Sequence, residues 1–87
     1  KGKVEDIQKL LNENDAETRR IADDQQRIRN LLQAINRQDA LYARYMRQLE
    51  EHENGLDELR TNRRKLATDL TQAQDALDLY VRTLRVD

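Results

Sequence analysis

A chain of 87 residues with 38% charged and 37% hydrophobic side chains, and with no Phe, Trp, Cys or Pro, has too few large apolar groups for a three-dimensional core. Backbone ordering alone opposes folding by roughly 1–2 kcal/mol per residue, and three tyrosines and one methionine can fill a seam but not a globule. The net charge of −1, with acids and bases interleaved, sets up no field for nucleic acid or acidic membranes. The lack of Cys excludes a disulfide framework, a thiolate zinc site and a cysteine nucleophile, and leaves the compartment undetermined.

Ala, Leu, Glu, Arg and Gln dominate, all good helix formers, and no proline interrupts them. In the first half the apolar residues follow a heptad. With Val4 as an a position, the a row is Val4, Leu11, Thr18, Gln25 and Leu32, and the d row is Ile7, Asn14, Ile21, Ile28 and Ile35. This predicts a first helix over about 3–35.

The stretch INRQDALYARY, 35–45, is where the pattern changes register. From Tyr42 the best 3–4 row is Tyr42, Tyr45, Leu49, His52, Leu56, Leu59, Arg63, Leu66, Leu70, Ala73, Leu77, Tyr80 and Leu84. An antiparallel fold between Gln38 and Asp39 accounts for the change. It sets Ile28 against Leu49, Ile21 against Leu56, Leu11 against Leu66 and Ile7 against Leu70. The polar exceptions meet as well, Gln25 with His52 and Asn14 with Arg63. Unpaired polar groups in a seam cost roughly 1–3 kcal/mol each. These four residues read as alignment-setting polar layers, because such layers penalise slipped pairings. Asn36 can close the first helix in the left-handed conformation, and Asp39 is a good N-cap for the second. A turn over about 36–39 and a helix over about 40–84 follow.

The expected fold is therefore all-α, an antiparallel two-helix coiled-coil hairpin, with 1–87 as one module of a larger protein. Two alternatives stay open. One turns at Asn54-Gly55, which the hairpin instead reads as an exposed mid-helix glycine. The other is a single continuous helix pairing as a parallel dimeric coiled-coil spacer.

The arms are unequal. Leu77, Tyr80, Val81 and Leu84 lie beyond the reach of helix 1, so they form an exposed apolar patch, the mark of an interaction site. In a longer parent, helix 1 would start further upstream and cover them. In this chain they predict self-association, most simply as an antiparallel homodimer of hairpins with a local four-helix bundle. Leu10, Leu31 and Leu79 widen the apolar stripe enough to allow it.

Candidate chemistry is sparse. In EEHE, 50–53, His52 has no second His and no ligand one turn away, so a seam histidine hydrogen-bonded to Gln25 is favoured over a metal ligand. The chain has no serine and no Gly-rich phosphate loop, and a two-helix hairpin has no dry concave pocket, so no catalytic residue, metal or cofactor is expected. Tyr42, Tyr45, Arg44 and Arg47 could form a stacking platform for single-stranded nucleic acid. Their place in the seam and the net charge favour a protein partner. No apolar run approaches the ~20 residues that span a bilayer, so no membrane partner is expected.

IADDQQRIRNLL, LYARYMRQLEEHENGLDELR and the closing LDLYVRTL together resemble the C-terminal helical segment of a bacterial family of unknown function, some members of which are labelled mucoidy inhibitor-like. The matching positions are Gln26, Arg27, Ile28, Arg29, Asn30 and Leu31, then Leu41, Tyr42, Arg44, Tyr45 and Leu49, and the likeness covers roughly 15–84. It implies a bacterial source and a larger parent with further domains. It carries over no catalytic residue.

Overall fold

The computed structural model describes residues 2–85 as two helices, α1 (Lys3–Ala34) and α2 (Ala40–Leu84), with no strand among them. They fold back on each other into a hairpin 76 Å long and 15 Å across. The chain turns where the register change placed the turn. It therefore neither continues as one helix, as the parallel-dimer alternative required, nor breaks at Asn54-Gly55.

Local chemistry sets the helix ends. Glu5 and Asp6 place negative charge in the first turn of α1, at the positive end of its dipole. The amide of Gly2 donates to Glu5 Oε1 at 3.4 Å, and the Asp6 amide donates to the Gly2 carbonyl. Ile35 leaves the helix in an extended conformation (φ −109°, ψ 139°), one residue earlier than expected.

The connection corrects one expectation. Asn36 does not enter the left-handed region, since no described residue has positive φ. Instead its Oδ1 accepts from the Gln38 amide at 3.0 Å and its carbonyl accepts from the Asp39 amide at 2.9 Å. An Asx turn thus does the work assigned to a left-handed cap. Asp39 caps α2 as expected, its carboxylate accepting from the Leu41 amide at 2.9 Å.

The core is a single seam. Ile7, Ile21 and Ile28 from α1 and Leu56 and Leu66 from α2 are buried, with Ile28 fully enclosed. Val4, Leu11, Thr18 and Leu32 on α1, and Tyr42, Tyr45, Leu49, His52, Leu59, Leu70 and Ala73 on α2, are half-buried along the same seam. Each fully buried aliphatic side chain contributes roughly 1.5–3 kcal/mol. Gly55 is not exposed as expected. It is half-buried, and a Cβ built on it would lie 3.5 Å from Ile21 Cδ1.

Candidate functional site

The seam is interrupted by polar groups at two levels. At the first, Asn14 is buried and donates from Nδ2 to the Leu59 carbonyl at 3.0 Å, reaching across to α2. Its backbone carbonyl accepts from Thr18 Oγ1. Arg63, expected opposite Asn14, is exposed and turns outward to Asp15. Its Nε donates to Asp15 Oδ1 at 2.8 Å and its Nη2 to Oδ2 at 3.4 Å. A long charged side chain on the seam row can carry its head into water while its stem stays in place. The hydrogen bonds from Arg63 hold the Asp15 carboxyl below the usual carboxylate range; desolvation opposes this, and the charges of Arg63 and Arg19 add to the lowering.

At the second level, Gln25 is buried, but its Nε2 donates to Glu53 Oε2 at 2.8 Å rather than to His52. His52 Nε2 lies 3.1 Å from Asp24 Oδ2. Asp24 also accepts from Arg27 Nε at 2.9 Å, and that hydrogen bond is the main reason its carboxyl is lowered, with the charges of Arg27 and His52 adding to it.

The expected pairs Asn14–Arg63 and Gln25–His52 are therefore not the bonds made. Each long side chain finds a partner one residue along: Asp15 for Arg63, Asp24 for His52, Glu53 for Gln25. These acids sit on the rows that flank the seam. Reading the flanking rows together with the seam would have picked them out.

Both levels are incompletely satisfied. Asn14 Oδ1 and His52 Nδ1 are buried and accept or donate no hydrogen bond. Among the described residues no three His, Cys, Asp or Glu side chains gather as metal ligands would. Among the described residues no helix is long and apolar enough to cross a membrane.

The apolar end of α2 is the other candidate site. Leu77 is 52% exposed, Tyr80 62%, Val81 40% and Leu84 64%, and Leu79 on the adjoining side is 65% exposed. They continue the row of Leu66, Leu70 and Ala73, and α1 begins only at Lys3, which borders the same hollow as Ala73 and Ala76. Asp75, Asp78, Arg82 and Arg85 follow one another at intervals of three and four residues, on a separate stripe of the helix.

No family model, curated protein or solved structure matches the chain.

Proposed function

We propose that the chain is a non-enzymatic coiled-coil arm that joins proteins or domains through the uncovered end of α2. The observation that carries this reading is the row Leu77, Tyr80, Val81 and Leu84, four large apolar side chains exposed on successive turns of one helix. Water is a poor solvent for such a row, and contiguous exposed apolar surface of this kind marks contacts with other proteins. The resemblance read in 15–84 to a helical segment of mucoidy inhibitor-like proteins motivates a further part of the proposal: the arm belongs to a larger bacterial protein and spaces or docks its other domains, and a longer α1 there would take the place of the second protein on this row.

Sedimentation equilibrium over a wide concentration range tests it, with Leu77→Glu/Leu84→Glu as the comparison. The reading expects mass to rise with concentration and the double variant to remain a monomer with unchanged helix content. A wild-type chain that stays monomeric throughout, and behaves like the variant, would overturn the self-associating form of the proposal.

A further inference from the structure

The hairpin carries two shallow hollows at one level, on opposite flanks of its seam. One, of about 320 Å³, is lined by Leu10, Glu13, Asn14 and Glu17 from α1 and by Leu59 and Leu66 from α2. The other, also about 320 Å³, is lined by Arg60, Arg63, Arg64 and Ala67 of α2. Asn62 borders the first and Arg60 the second, and two residues of helix turn their directions about 160° apart. The flanks thus differ in sign, one edged by carboxylates and the other by guanidinium groups.

Neither flank neutralises itself. On the basic flank Arg60 pairs with Asp57 and Arg63 with Asp15, while Arg64 makes no ion pair among the described residues. On the acidic flank Glu17 pairs with Arg20, while Glu13 has no cation partner among them. Asn14 adds an Oδ1 that receives no hydrogen bond. An arginine brings what this hollow lacks, a positive head with five N–H donors on an apolar stem that can lie over Leu10. Glu13, Arg60 and Arg64 are all exposed, and Leu10 is 47% exposed, so both flanks are open to a neighbour.

We infer that these flanks join copies of this chain side by side, with Arg60 and Arg64 of one hairpin set against Glu13 and Glu17 of the next. Both pairs are four residues apart on their helices, so one helix laid along the other makes the two contacts together. The neighbour lies end over end, so that α2 of one copy runs parallel to α1 of the next. A neighbour pointing the same way would set α2 against the other α2, where Glu58, Asn62 and Lys65 offer one acid and one base. The contact is heterologous. Each hairpin keeps a flank for a further copy, and the copies form an open row of alternating direction.

Exposed ion pairs are individually weak and are screened by salt. The row therefore forms at about 10 mM salt and comes apart at about 0.15 M. The inference concerns a surface away from the tip of α2 and goes beyond the reading proposed above.

The test takes Leu77→Glu/Leu84→Glu, which removes the tip contact, as the parent chain for sedimentation. Two variants are built on it, Arg60→Glu/Arg64→Glu and Glu13→Lys/Glu17→Lys. The parent should gain mass with concentration at about 10 mM salt and lose that gain at about 0.15 M. Each variant alone should associate roughly tenfold more weakly, or not at all, because both of its flanks then carry one sign. Their equimolar mixture should recover association, since the intact carboxylates of one meet the intact arginines of the other. A parent that stays monomeric at about 10 mM salt, or whose gain persists at about 0.15 M, overturns the inference whatever the variants do. So do variants that associate as the parent does, or a mixture that fails to recover while both variants keep their helix content. None of these outcomes bears on the tip, whose association the unmodified chain shows at about 0.15 M salt.

Discussion

Arg63 and Asp15 form a two-point contact between the helices: Nε donates to Oδ1 at 2.8 Å, and Nη2 approaches Oδ2 at 3.4 Å. Arg63 occupies a seam row but holds its guanidinium outside the seam. Asn14, directly beside Asp15, is therefore left to satisfy itself on the backbone of α2. A polar seam position has become a surface clasp.

That clasp makes stability depend on acid. Hydrogen bonds from Arg63, Arg20 and Arg27 lower the carboxyls of Asp15, Glu17 and Asp24 respectively. A carboxyl whose pKa is lower folded than unfolded contributes stability above its unfolded value, and loses it as pH falls through the folded one. Denaturation midpoints should thus hold steady near neutrality and fall once the pH drops below about 4, the ordinary carboxylate value. Asp15→Asn should shallow this fall more than Glu17→Gln, because Asp15 ties one helix to the other whereas Glu17 pairs with Arg20 within α1. Equal slopes for the two variants would count against the clasp.

Gly55 offers a stabilising substitution. A methyl group there meets Ile21 Cδ1 at 3.5 Å, an ordinary van der Waals distance. Ala is favoured over Gly by about 1 kcal/mol in a helix interior. Gly55→Ala should raise stability by up to about that amount in chemical denaturation, and a loss would show that the seam is closer there than the contact distance implies.

Asn14 carries a buried, partnerless oxygen. Such an atom costs roughly 1–3 kcal/mol, and polar seam residues trade stability for a defined alignment. Asn14→Leu is expected to raise the denaturation midpoint. It should also broaden the distribution of distances between spin labels placed on exposed positions of α1 and α2. A stabler chain with an equally sharp distribution would remove the alignment role.

Ile28 is the most enclosed side chain of the hairpin, at 0% exposure. Ile28→Ala should cost about 2–5 kcal/mol, the range for truncating a buried aliphatic residue. Truncating Leu10, 47% exposed, should cost far less. Thermal unfolding followed by circular dichroism compares the two.

The sequence and the structure agree where packing depends on periodicity. Apolar residues at 3–4 spacing specify which stripe is buried, and the register change between Ile35 and Tyr42 specifies the turn. Agreement stops where reach matters more than position. A Gln, Arg or His side chain spans more than one residue of helix, so Gln25, Arg63 and His52 each take an acid one position from the place the row assigns. Asn36 shows a second limit. Asn serves both a left-handed cap and an Asx turn, and which one forms depends on the direction in which Ile35 leaves α1. Gly55 shows a third, because a residue without a side chain gives no sign of whether it faces water or the opposite helix.

The inequality of the two arms also has a kinetic consequence. The hairpin is joined at one end only, and no residue of α2 beyond Leu66 is buried. Among the described residues, every residue of α2 past Ala73 is exposed. A free-standing helix of that length is marginal in water, so backbone amides of 77–84 should exchange with deuterium far faster than those of 49–66. On the reading proposed above, a partner at this tip would also have to order it, and that entropy would weaken the contact.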